Sequence, residues 1–289
     1  MTLLCKKITT NDQVVHFVQK TGMAYPTVFG EGAAIPADSR MLGYKTSMTP
    51  QYEGSSVTVT QRAIKDRDYN AQLDEFKDLG VTMMEKMDRD FFANFNNAFT
   101  AQSSLPSFQY GYGDGKPFCS TLHPRKDGGT VQSNASAAGI TLTVDNLNTA
   151  RNALLRQLDD RGKPVRVGSG KLILLVPVEL ETQAVEITKS IKRANTANNN
   201  VNVYDGVVTV VASKWLAESG TNGASTSWFL IDPSVAKLIF LLREGVQTHT
   251  ATDANTLNKT FYGYGRWATG WTDWRGVWGT IGDGGVYSL

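Results

Sequence analysis

The segment "NAQLDEFKDLGVTMMEKMDRDFFANFNNAFT" constrains the fold more than any other part of the 289-residue sequence. Leu73, Phe76, Gly80, Met83, Met84, Met87, Phe91, Phe95 and Phe99 recur at steps of three and four, while Asp74, Lys77, Asp78, Glu85 and Lys86 take the opposite face. This spacing predicts an amphipathic helix over 72–99, about 40 Å long at ~1.5 Å per residue, with Gly80 as a place to bend. Its Met/Phe stripe reads as a face turned to a core, not as a ligand groove. The fold must therefore supply an apolar surface along one side of a very long helix.

The remaining chain reads mainly as strands and loops, which makes the expected class α+β. Residues 1–43 are Gly- and Pro-punctuated and nearly aperiodic, an extended arm that needs a neighbouring surface to be ordered. Residues 44–70 read as a β-hairpin turning at Pro50 and Gly54, with little apolar face of its own. After a Gly/Tyr-rich loop, "TLTVDNLNTARNALLRQLDDRGKPV" predicts a helix capped by Thr143 or Asp145. Its stripe is Leu147, Ala150, Leu154, Leu155 and Leu158, and Gly162 and Pro164 end it. "KLILLVPVELETQAVEITKSI" predicts a buried strand entering a helix at Pro177. "NTANNNVNVYDGVVTVVASKWL" reads as a polar loop and a β-run. "SWFLIDPSVAKLIFLLREG" repeats strand then helix, with Pro233 at the helix start. From Val246 onward, alternation and dense aromatics predict closing strands. Hydrophobic residues at 41% and charged residues at 19% suit strands and turns better than a helical bundle.

Charge and cysteine usage narrow the function classes. A net charge of +2 gives little attraction to nucleic acid or membrane. Two cysteines, Cys5 and Cys119, make no disulfide framework and suit a reducing compartment. The N-terminus does not read as a signal peptide, and "LILLVPV" is too short to span a bilayer. A soluble protein made inside a cell is expected, without a membrane.

One loop has the look of chemistry. "DGKPFCSTLHPRKDGG" (Asp114 to Gly129) brings Asp114, Cys119, His123 and Asp127 together, one of two cysteines and one of three histidines. A nucleophilic cysteine needs a base beside it, but Cys/His pairs usually meet through the fold, and no Asp or Asn is placed to orient the imidazole. A zinc site would need ligands from distant positions. "GYGDGK" and "GSGK" lack phosphate-loop spacing and context. The acidic run "DRDYNAQLDEFKD" alternates with bases, as solvated faces do. The C-terminal aromatics could form a sugar or base platform, yet few basic residues accompany them, so buried strands are expected. No catalytic, cofactor or metal residues are assigned.

Several phrases resemble the major capsid proteins of tailed bacteriophages, particularly the Mu-like head-subunit group: "GKPFCSTLHP", "GGTVQSN", "LTVDNLNTARNALLRQLDDRGKPV", "LILLVPVELETQAVEI" and "WFLIDP". The resemblance runs from Tyr44 to the C-terminus and is strongest between Lys116 and Ser190. It implies the Hong Kong 97-type capsid fold: an N-terminal arm over 1–43, an extended β-hairpin loop over 44–70, and a peripheral domain over 71–170 with a spine helix at 72–99. An axial domain over 171–245 and return strands over 246–289 complete it.

The implied function is structural. The subunit would form pentamers and hexamers of an icosahedral head, assembled in the host bacterial cytoplasm and enclosing double-stranded DNA without sequence-specific binding. Scaffolding, portal and decoration proteins are the implied partners besides other copies of the chain. Arg62, Lys65, Asp66 and Arg67 on the hairpin, with Glu31 and Arg40 on the arm, are the candidate inter-subunit contacts. His123 is expected to bond to backbone or a neighbouring chain. An encapsulin-like cellular compartment shell, or a hydrolase using Cys119 and His123, are the alternatives.

Overall fold

In the computed structural model the long helix, α2 (Asn70–Asn96), has 27 residues. The structure describes residues 3–39, 41–65, 70–190, 204–217 and 225–282. Met83, Met87, Phe91 and Phe95 of the stripe are buried, and so is Leu79, which the stripe did not include. Met84 is 57% exposed, because it lies about 100° around the helix from Met83 and faces away from the core. The helix stops at Asn96, three residues before the expected end at Phe99.

Five strands form the sheet against which α2 packs. They are β1 (Lys6–Thr9), β4 (Gln51–Val59), β5 (Gln109–Tyr110), β9 (Leu238–Thr252) and β10 (Lys259–Trp271). Their order is β1-β9-β10-β4, with β5 beside β10. Between helix and sheet lies an aromatic core. Phe95 meets Phe229 at 5.2 Å and Phe118 at 6.0 Å, and Phe118 meets Trp271 at 4.9 Å.

The second sheet runs β11 (Val277–Thr280), β8 (Trp228–Ile231), β6 (Leu172–Pro177), β7 (Val208–Ser213). Every residue of β6 is buried, as a strand covered on both faces demands. Ile173 and Leu175 join the aromatic core, while Leu172, Leu174 and Val176 pack with the buried residues of α3 (Val144–Leu155) and α4 (Glu181–Lys189). Period-2 alternation thus divides one strand between two cores. Thr143 caps α3 by accepting from the Asn146 amide, as expected. The helix ends at Leu155, before Leu158, because Gln157 and Leu158 turn to bond Val165 and bridge Pro164, with Gly162 at φ +75° closing the turn.

Two expectations are corrected. The stretch 44–70 is not a hairpin. β3 (Leu42–Met48) pairs with β2 (Val15–Lys20), whereas β4 pairs with β10. Met48 is fully buried against Ile239, Leu241 and Ala268, so the chain crosses between sheets at Thr49–Pro50 and does not reverse. Nor does a helix follow Pro233. Asp232 accepts from the Val235 and Ala236 amides in one turn, and the chain then enters β9. "LIFLL" lies between β1 and β10, a central position that suits a run of bulky apolar residues. Sheet membership also departs from contiguous blocks: β9 joins the α2 sheet from Leu238 on, and β11 returns to the second sheet.

Candidate functional site

The loop that resembles a catalytic cluster is a buried hydrogen-bonded knot. His123 is fully buried, its Nδ1 2.7 Å from Asp114 Oδ2 and its Nε2 3.1 Å from Asn134 Oδ1. Asn134 cannot turn its amide round, because Nδ2 donates to the Phe118 carbonyl and Oδ1 accepts from the Ser120 amide. Nε2 therefore donates, and Nδ1 shares a hydrogen with Asp114. The imidazole stacks on Trp274 at 4.3 Å with planes 9° apart. Its backbone N–H and C=O both pair with Gln132. The expected partner, backbone or another chain, gives way to two side chains of the same chain. The sequence held Asp114 nearby, but Asn134 and Trp274 arrive only through the fold.

Cys119 lies in the aromatic core, and burial pushes its thiol pKa up, away from the thiolate a nucleophile requires. Both His123 nitrogens are already engaged, leaving neither to accept the Cys119 proton. Cys5 is half-buried, and desolvation pushes it up to about 11. Asp127 sits apart in an exposed turn, paired with Arg125. Among the described residues no group of three His, Cys, Asp or Glu could hold a metal ion, and no helix is long and apolar enough to cross a membrane.

Arg275 extends the knot. Its guanidinium lies 4.7 Å from the Trp274 ring, 3.0 Å from Asp273 and 3.2 Å from Asp160, and its Nε donates to the Leu158 carbonyl. Asp273 also accepts from Gln19 of β2 and Lys237. Tyr112 donates to Gln19, and burial pushes its phenol pKa up. This buried polar network fastens the foot of the β2–β3 hairpin to the body.

Beyond that foot the chain leaves the core. Residues 21–41 connect β2 to β3 and are held at their base: Asp38 accepts from the Ala24 amide and pairs with Arg161 at 2.8 Å, and Lys163 donates to the Met23 carbonyl. The Ala24 amide and then Arg161 keep the Asp38 carboxyl below its usual pKa. Between these feet Val28 is fully exposed, Ile35 is 78% and Phe29 51% exposed. A second projection is the outer part of β9, β10 and β4. There Arg266 lies 4.0 Å over Tyr52 and 3.5 Å from Glu244, and His249 stacks on Tyr264.

The structure disperses the candidate contact residues. Glu31 is exposed on the β2–β3 connection. Arg62 and Lys65 are exposed, but on α1 (Gln61–Lys65), a short helix leading to α2, not on a hairpin. Arg40, Asp66 and Arg67 lie outside the described residues. Sequence reasoning missed the aromatic and aliphatic tip at Val28, Phe29 and Ile35, which it read only as an arm. Its signal was apolar residues between glycines with no helical or strand period.

A family model for phage capsid protein matches residues 44–279. Among solved structures, the asymmetric unit of the bacteriophage PhiM1 mature capsid is similar at TM-score 0.58 and 12% identity, covering 95% of this chain and 84% of that chain. The capsid of the native GTA particle gives TM-score 0.58 at 11% identity over 96% and 88% of the respective chains. The bacteriophage JBD30 capsid gives 0.54 at 15% identity over 74% and 89%. No curated protein matches.

Proposed function

The chain belongs to the phage capsid protein family and is a structural shell subunit, and from that premise we propose that it builds the icosahedral head of a tailed bacteriophage of the Mu-like group. It assembles as pentamers and hexamers in the host bacterial cytoplasm and resides in the virion, around double-stranded DNA that it does not read. In this reading α2 is the spine helix and, with the five-stranded sheet, the peripheral domain. The second sheet with α3 and α4 is the axial domain. The extended loop is β2–β3 with residues 21–41, replacing the assignment to 44–70. Scaffolding, portal and decoration proteins are its further partners.

The observation that carries this reading is the β2–β3 connection. A lone subunit leaves Val28, Phe29 and Ile35 in water while a buried polar network fixes the base from which they project. Exposed apolar tips on a fixed base are stabilised by covering them with a partner. Both ring nitrogens of His123 are already engaged and burial raises the Cys119 thiol pKa, so this pair lends no support to hydrolysis.

Size exclusion and negative-stain microscopy of the purified chain test the reading. Closed megadalton particles are expected, and a stable monomer or dimer under all assembly conditions would sink it. DNA in particles recovered from producing cells distinguishes a virus head from an encapsulin-like compartment.

A further inference from the structure

Of the C-terminal aromatics, Trp267, Trp271, Trp274 and Trp278 are buried, whereas Tyr262 and Tyr264 are only partly so. The alternation of β10 explains the difference. Gly263 approaches Leu79 and Met83 of α2, and Trp267 bonds Asp90 of the same helix, so Tyr262, Tyr264 and Arg266 point away from it. Ala268 shares that second face and is covered by Met48, the last residue of β3. Beyond this cover the face is open: Tyr52, opposite Arg266 on β4, is 66% exposed, and Gly54 and Ser56, opposite Tyr264 and Tyr262, are exposed too.

Two stacked pairs are fixed on this face. Arg266 lies 4.0 Å over Tyr52, donates to its hydroxyl at 3.2 Å and meets Glu244 at 3.5 Å. His249 stacks on Tyr264 at 5.5 Å with planes 17° apart, and the Tyr264 hydroxyl donates to Gln247 at 3.0 Å. Both contacts draw the Tyr264 ring toward β9 and leave a strip over β4. Its floor is backbone, since a Cβ at Gly54 would first meet the Gly263 carbonyl at 3.0 Å and the Tyr264 Cβ at 3.2 Å. Tyr52 bounds the strip on one side and Tyr262 on the other.

Charge decides what the strip can take. Arg266 and Glu244 face each other and cancel, so a polyanion finds no unpaired Lys or Arg there. No Leu, Ile, Val or Met stands on this face of β4 or β10 beyond Ala268 to seat an apolar protein surface. What remains is ring faces beside hydroxyl, amide and paired charged groups, the complement of an uncharged molecule with C–H faces and many hydroxyls. We propose that the strip binds a neutral saccharide chain, one sugar ring lying over Gly54 against Tyr52 with its hydroxyls toward Arg266 and Ser56. This activity goes beyond a shell role, and its site lies within one chain.

Depletion of the purified chain from solution by beads of cross-linked dextran, cellulose or mannan tests it, with heparin beads as the charged control. Binding to at least one neutral polymer is expected, and added salt should leave it unchanged. Tyr52→Ala should weaken that binding about tenfold, with an unfolding midpoint close to the parent's. Gly54→Val, which fills the strip, should weaken it as well, and Tyr262→Ala takes its place if that chain does not fold. Binding to none of the three polymers, to heparin alone, or equally by parent and Tyr52→Ala overturns the proposal. Tyr52→Ala that stops particle formation without changing bead binding would mark the strip as a contact between copies, and overturns it too. Each of these failures leaves the shell reading standing, because particle formation by the parent chain tests that separately.

Discussion

His123 shows how much a single side chain depends on distant neighbours. Four residues from Cys119, it has the look of half a catalytic pair, although the sequence reading assigns it no catalytic role. In the fold it is a fully enclosed tie between Asp114, Asn134 and the Trp274 face. Removing one member of a buried pair leaves the other without its partner, typically at about 3–5 kcal/mol. His123→Ala is therefore expected to lower subunit stability by about that amount, read as a fall in the urea midpoint. Asp114→Ala combined with it should add much less than its own single cost, because the two act as one unit. A His123→Ala cost within about 0.5 kcal/mol would show that the knot is not holding the loop. Gly279 makes the same point about legibility: a Cβ there would come within 2.7 Å of the Cys119 sulfur and 2.6 Å of the Phe229 ring. The sequence shows a glycine, and only the packing says why nothing larger fits.

Among the elements, α2 was the most legible and still carried an unread seam. Its apolar stripe follows from periodicity alone. Asp90, Asn94 and Asn97 also recur at steps of four and three, and all three are buried. Asp90 accepts from Trp267 Nε1 at 2.8 Å, Asn94 donates to Thr269 at 2.6 Å, and Asn97 donates to Gln109. These bonds set the helix against β10 and β5 in one register, which apolar contact alone would leave free to slide. Asp90→Leu leaves the Trp267 N–H buried and unpaired, expected to cost about 1–3 kcal/mol, whereas Asp90→Asn keeps an acceptor and should cost less. Chemical unfolding followed by tryptophan emission measures both, and equal costs would contradict the hydrogen-bond role. β9 was misread for the opposite reason. A Pro beside "SVAKLIFLLREG" satisfies helix-start rules, and nothing local reveals that β1 and β10 will flank the segment. Local signals decide an element only where no tertiary pairing competes.

For the whole molecule, the sequence revealed the class and the order of parts but not which strands meet. The arm read from residues 1–43 became an edge strand, half of a hairpin and its projecting tip, because β1 pairs with β9, more than two hundred residues away, and β2 pairs with β3 across an intervening connection. On the proposed assembly, folding and shell contact draw on different residues. The two cores, with Phe91, Phe95, Trp228 and Trp271, close within one chain, while Val28 finds no cover in it and Phe29 only about half. Replacing both with serine should leave the subunit's unfolding midpoint within about 0.5 kcal/mol of the parent, as for surface changes elsewhere. The same variant should fail to form particles, since each copy then loses the apolar tip it offers its neighbour. Paired urea titration and particle counting by microscopy read the two effects separately. Particles at parental yield would mean that the tip is not an assembly contact. A large loss of subunit stability would mean that it packs within its own chain.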